Sequence, residues 1–291
     1  LVICLEVIEE NLQMLSVSLG ETDLEPSEAT YDDCGDRQVY TYAVTDASPH
    51  GLVFVAMDAQ DTFGNRANIS PEIIFDVQPP QLTMVAFSPT AIRAGMTAKL
   101  LINANEKVSG TPILTWEGEG LDLALSASTD VGFEYDIAAT ANSPDATYTL
   151  KSVTLQDEVG NTNAFEVSEL GDEVTVAPTL RMDATNPTLS DFATNAERFG
   201  PNTDPLTVSF TVSETLATAT AEEANPKVTL GEAGIPIVCN HEQAPSYSCT
   251  YPLMVELADG SHLVSVQVKD EVGNYGTASK VVVVDFTAPV L

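Results

Sequence analysis

Three copies of one short phrase constrain this chain more than any bulk property: Asp61-Thr-Phe-Gly-Asn65, Asp157-Glu-Val-Gly-Asn161 and Asp270-Glu-Val-Gly-Asn274. A signature that recurs along a chain marks a repeat array, each copy belonging to one structural unit. A second phrase follows each copy: Asp76-Val-Gln-Pro-Pro80-Gln-Leu82, Asp183-Ala-Thr-Asn-Pro187-Thr-Leu189 and Asp285-Phe-Thr-Ala-Pro289-Val-Leu291. Successive linker aspartates lie 107 and 102 residues apart (183 − 76 and 285 − 183), enough chain to bury a sandwich core. The spacing divides the chain into a partial repeat at 1–78, complete repeats at 79–185 and 186–287, and the start of another at 288–291.

Alternating apolar segments bounded by turn residues fill each repeat and read as strands. They include 39–44, 51–57 and 68–76 in the first; 97–105, 112–116 and 148–155 in the second; and 206–214, 226–230, 262–268 and 279–285 in the third. The first repeat reads as one lacking its opening strands, and the array as continuing past both ends. Phe87-Ser-Pro89 corresponds to Phe199-Gly-Pro201, and Asn105-Glu106 to Ser213-Glu214. The middle repeat spends 22 residues between Asn161 and Asp183, where the others spend 11, so an extra segment is expected from Glu166 to about Val176. Leu5–Leu15 has room for a turn or two of helix, and Leu216–Asn225 is alanine-rich, but neither carries clear caps. The fold class is all-β, with tandem antiparallel sandwiches.

Of the 291 residues, 43 are acidic and 11 basic, a formal net charge of −32. Such a surface repels phosphate backbones and anionic headgroups and attracts cations, so nucleic acid is not an expected partner. Acidity also keeps an exported protein soluble. No apolar run approaches the roughly 20 residues that span a bilayer, so no membrane insertion is expected. With 44% apolar and 19% charged residues, the chain is globular in composition. Cys239 and Cys249 flank a polar turn, and Cys4 and Cys34 stand in the matching place upstream of Asp61. Pairing within each repeat, Cys4 with Cys34 and Cys239 with Cys249, is the simplest assignment and implies an oxidising compartment; free buried thiols are the other reading. Asn68-Ile-Ser70 matches a glycosylation sequon, a pattern common by chance.

The repeated phrases resemble the tandem bacterial immunoglobulin-like (Big-type) domains of large secreted adhesins or surface fibres. The Asp-x-x-Gly-Asn turns, the Asp-x-x-x-Pro-x-Leu linkers and the two strand ends carry that resemblance across nearly the whole chain. It implies sandwiches arranged end to end, an extracellular, cell-surface setting, and calcium at the junctions. In a sandwich of this type the loops after the second and sixth strands lie at the end where the chain enters. Asp76, Glu106, Asp157 and Asn161 should therefore meet at one junction, and Asp183, Glu214, Asp270 and Asn274 at the next. Three carboxylates with an amide oxygen and nearby carbonyls suit a hard cation such as Ca2+. The same pieces also read as turn chemistry alone, with Gly at positive φ and Asp and Asn bonding local backbone.

Nothing nominates an enzyme. The histidines, His50, His241 and His262, stand singly and read as solvated loop residues, and neither a nucleophile elbow nor a phosphate-binding glycine loop is present. Trp116 is expected to fill core. The expected function is a structural stalk section of a long adhesin or surface filament, whose partners are adjacent repeats of the same chain and, in a filament, other copies. The alternative is a carbohydrate-binding or accessory module of a secreted polysaccharide-degrading enzyme, which should present a strip of exposed aromatics.

Overall fold

The computed structural model describes residues 1–291 except 119–120, 202, 221–223, 244, 253–256 and 291; the side chains of 240–243, His241 among them, also lie outside the description. Two compact units comprise residues 1–83, 104–114 and 153–166, and residues 84–103, 115–152 and 167–291. Apart from one 3-10 turn, the described elements are all strands, paired mainly antiparallel. Among the described residues no helix is long and apolar enough to cross a membrane.

In the first unit, Val2–Leu5, Gln38–Thr41 and Pro26–Ser27 form one small sheet in that order. Gly51–Asp61 pairs with Leu12–Leu19 and with Arg66–Ile69 and Glu72–Phe75. The expected strand 68–76 is thus two strands, broken at Ser70-Pro71 because proline has no N–H to give a ladder. The helical option for Leu5–Leu15 is not realised: from Leu12 onward the backbone pairs with Gly51–Asp61, and tertiary pairing outweighs a weak local preference. Ile3, Val17, Leu19, Tyr40, Val53, Val55 and Phe75 form its core.

The second unit holds two strand systems. In one, Thr97–Ala104 pairs with Gly132–Ala138, setting Ala98 opposite Ile137, Leu100 opposite Tyr135 and Ile102 opposite Phe133. All six side chains are buried, as strict alternation over one covered face requires. Ala91–Ile92 runs parallel to Thr179–Met182. The extra segment of the middle repeat forms a 3-10 turn, Val167–Glu169, and a strand, Thr175–Ala177, parallel to Met84–Ala86. Trp116 is half-buried and tilted against Phe87, 6.2 Å between centroids, so it lines the core rather than filling it.

The other system is an eight-stranded sheet curled round Phe199, Leu206, Phe210, Leu230, Val266, Val282 and their neighbours. Its long hairpin, Gly260–Lys269 with Tyr275–Val284, turns at Asp270–Asn274. Leu216–Asn225 carries no helix among its described residues; 221–223 lie outside them. Cys4 bonds Cys34 and Cys239 bonds Cys249, the second pair directly opposite in an antiparallel ladder.

Candidate cation sites

Each Asp-x-x-Gly-Asn turn is closed by its own first residue. Asp157 Oδ1 accepts the N–H groups of Val159, Gly160 and Asn161 at 2.9, 2.7 and 2.8 Å. Asp270 Oδ1 does the same for Val272, Gly273 and Asn274 at 2.9, 2.6 and 2.8 Å. Gly160 and Gly273 take φ of 101° and 92°, values a side chain would strain. Asp61 makes the same kind of turn, accepting from Phe63 and Asn65 at 2.9 and 2.8 Å, although it is only partly buried where Asp157 and Asp270 are buried. The turn is therefore self-sufficient, and its hydrogen bonds say nothing of a ligand.

What distinguishes the second and third copies is the linker. Asn161 Nδ2 donates to Asp157 Oδ2 at 2.7 Å and to the Asp76 carbonyl at 3.1 Å. Asn274 Nδ2 repeats this with Asp270 Oδ2 at 2.8 Å and the Asp183 carbonyl at 2.9 Å. The asparagines thus tie each linker to a turn with their nitrogens. Glu106 and Glu214, just beyond Thr97–Ala104 and Leu206–Val212, complete the groups. Carboxylate oxygens of Asp76, Glu106 and Asp157 lie within 4.8 Å of one another, as do those of Asp183, Glu214 and Asp270. Asp157 is 3% exposed and Asp270 0%.

At such distances and an effective dielectric near 20, each like-charged pair repels by about 3 kcal/mol. The glutamates register the cost. Burial, then Asp76 and Asp157, pushes the Glu106 carboxyl above its ordinary range, with His50 acting the other way. Burial, then Asp183, Asp270 and Asp145, raises Glu214, against Arg181. The first group contains an orphan: Asp76 Oδ1 is buried without a hydrogen-bond partner. His50 Nδ1 stands 3.6 Å from it, within ion-pair range but beyond hydrogen-bonding reach, so we regard that oxygen as unsatisfied. The second group is better compensated, since Arg181 reaches Asp183 Oδ2 at 3.1 Å and Glu271 Oε2 at 2.5 Å. An all-oxygen, triply anionic donor set with an unsatisfied carboxylate oxygen fits a hard divalent cation.

Two residues of these surroundings escape the sequence pattern. Arg181 has no counterpart elsewhere, since Ile74 and Val283 hold the matching place before the other linker aspartates. His50 has a counterpart in each repeat. It stands 11 residues before Asp61, as Asp259 stands 11 before Asp270, while Asp145 stands 12 before Asp157. That offset was readable without a structure.

No protein-family model matches the chain, and no curated protein sequence matches it. Among solved structures, it is similar to a three-immunoglobulin-domain stretch of titin, at 8% identity and a TM-score of 0.39 over 96% of this chain and 89% of that one. It is also similar to part of a 1.5-MDa bacterial ice-binding adhesin, at 15% identity and 0.37 over 94% and 87%. A tetra-tandem repeat from the extending region of a large adhesion protein gives 17% identity and 0.32 over 93% of this chain and 66% of that one. The likeness is to tandem immunoglobulin-like domains. At these scores it is one of all-β architecture and reaches no residue of the carboxylate groups.

Proposed function

We propose that this chain is a structural section of the shaft of a long extracellular bacterial adhesin or surface filament, made of sandwich repeats with limits near 78, 185 and 287, in which Ca2+ stiffens two junctions. The observation that carries the reading is the pair of carboxylate groups, each assembled from a linker aspartate, a strand-end glutamate and a turn aspartate. Asp76, Glu106 and Asp157 would hold one ion, and Asp183, Glu214 and Asp270 the other, with Asn161 and Asn274 fixing the linkers. A cation binding all three elements cross-links residues far apart in sequence and removes the repulsion between them. The disulfides support an oxidising, exported setting. The exposed large aromatics among the described residues, Tyr31, Phe54, Phe63 and Tyr275, come from separate strands and loops; this favours a shaft over a glycan-binding face.

Calcium should raise the melting temperature of chelator-treated protein, and Glu106→Gln with Glu214→Gln should reduce that rise. The same two substitutions should stabilise the metal-free protein, because they remove the repelled charge and keep the shape. Calorimetry with and without Ca2+ checks both signs. A melting temperature indifferent to calcium in the parent chain removes the cation from the reading.

A further inference from the structure

One sheet face of the third repeat breaks with the acidity of the chain. Gly260–Lys269 and Tyr275–Val284 alternate, with Val264, Val266, Val268 and Val282 buried, so their odd-numbered positions turn outward. On that side Leu263 lies opposite Val281, Ser265 opposite Ser279 and Gln267 opposite Thr277. Lys227–Leu230 extends the face, setting Lys227 beside Gln267 and Thr229 beside Ser265. No outward position of these three strands is acidic, although the chain holds 43 acidic residues in 291. The first repeat is not spared in this way. Counted back from its turn and linker aspartates, exposed Asp58 holds the place of Gln267 and exposed Glu72 that of Val281.

Charge returns at the two ends of the face, with opposite signs. Lys227 stands toward the Asp270 turn, and there Lys269 lies over the Tyr275 ring, 5.9 Å from its centroid. Glu232, in the turn after Lys227–Leu230, stands at the far end with Asp259 and Asp285, where Arg198 alongside Val283 offsets one of the three. Chains of net charge −32 repel, so two copies approach most readily where carboxylates are absent. The apolar pair Leu263 and Val281, 45% and 54% exposed, lies within that region. A two-fold axis crossing the strands at this pair packs it on its own copy and reverses the strands. Positions 267 and 259 are equidistant from 263, as 277 and 285 are from 281. The Lys227 end of one copy thus comes over the partner's Glu232 and the partner's Asp259, and the match occurs twice. We propose that this face is a self-complementary interface through which the third repeats of two copies of this chain pack face to face, strands antiparallel. The inference goes beyond the shaft reading and needs no cation at the junctions. Overlap of about nine residues at ~3.3 Å on three strands ~4.8 Å apart covers roughly 430 Å² per copy. That is the size of a weak, reversible contact.

Sedimentation equilibrium of the full chain in chelator, from about 1 μM to about 1 mM, reads the association. The weight-average mass should climb from 30.9 kDa toward twice that value. Leu263→Glu with Val281→Glu should weaken the dimer by about tenfold or more, as like charges brought together at an interface do. Diluted protein should melt as the parent does, because both side chains are exposed. Should that double variant unfold early, Ser279→Arg, which adds only bulk and charge to the same exposed face, should give the same loss. Lys227→Glu should also weaken association, and Glu232→Lys added to it should recover affinity, which a merely apolar contact would not do. A mass of one chain at every concentration overturns the interface. A dimer indifferent to Leu263→Glu with Val281→Glu and to Ser279→Arg overturns its location, and mass growing beyond two copies overturns its two-fold form.

Discussion

At the scale of single residues the glutamates decide how the metal-free protein responds to acid. Glu106 and Glu214 have folded pKa values raised by burial and neighbouring aspartates. A carboxyl whose folded pKa is raised takes up its proton in the folded state first, so stability grows as pH falls from above that value toward the ordinary glutamate range. Asp145 works the other way. Its pKa is lowered by hydrogen bonds from Thr185 and Ala184, so its contribution is present above the ordinary aspartate range and lost as pH falls through the lowered value. In chelator, the melting temperature should therefore rise and then fall on acidification from neutrality. Glu106→Gln with Glu214→Gln should flatten the rising limb only, and saturating Ca2+ should erase it; a monotonic fall in the parent protein would contradict the raised pKa values. The carboxylate groups were legible in the sequence because periodicity names their members and the expected sandwich topology brings them together. The use of Asn161 and Asn274 as nitrogen donors was not, since an amide shows its orientation only in a hydrogen-bond network. His50 was missed for a different reason: a lone histidine in a turn carries no signal until the same place is read in all three repeats.

At the scale of elements the two disulfides do unequal work. Cys4–Cys34 spans 30 residues and Cys239–Cys249 spans 10; in the chain-entropy model these loops contribute about 3.7 and 2.8 kcal/mol. The larger contribution falls on the smaller core. The first unit rests on seven clustered buried side chains, where the eight-stranded sheet encloses sixteen. Replacing both Cys4 and Cys34 by Ser should therefore open the first unit well below the main transition, seen as early loss of amide protection in Gly51–Asp61. The Cys239→Ser, Cys249→Ser protein should keep its transition within several degrees of the parent. Equal losses in the two would mean that loop length and core size do not set the ranking. The strands themselves were legible unevenly. Leu206–Val212 and Gly260–Lys269 alternate over a buried face, and the pattern finds them. Leu12–Leu19 exposes four of its eight residues and buries only Val17 and Leu19, near its end, so its place in the sheet is set by Gly51–Asp61 rather than by its own periodicity. Gly132–Ala138 is missing from the sequence reading although its pattern marks a strand, with Phe133, Tyr135 and Ile137 buried and Glu134 and Asp136 turned to Lys99.

At the scale of the whole molecule the charge of −32 sets two different salt responses, which can be separated. Diffuse repulsion between surface carboxylates acts over distances near the Debye length, about 8 Å at physiological ionic strength, so ordinary salt weakens it. The carboxylate groups are tighter than that: their oxygens lie within 4.8 Å and are partly buried, so the diffuse ion atmosphere screens them much less. Sodium chloride should therefore raise the melting temperature gradually and without saturation at low concentrations, in the parent chain and in the Asp157→Asn, Asp270→Asn protein alike. The amides keep an oxygen to accept the turn N–H groups and remove one charge from each group, but set an NH2 where Asn161 and Asn274 now donate, so the two proteins are compared by their salt increments rather than by absolute melting temperature. Calcium at matched ionic strength should add a saturable increment in the parent, growing as the logarithm of free ion above the dissociation constant. In the double variant only the sodium-like part should remain. Parallel calcium and sodium curves in the parent would mean that the acidity acts as a surface property alone, and that the linkers are held by Asn161 and Asn274 without a metal.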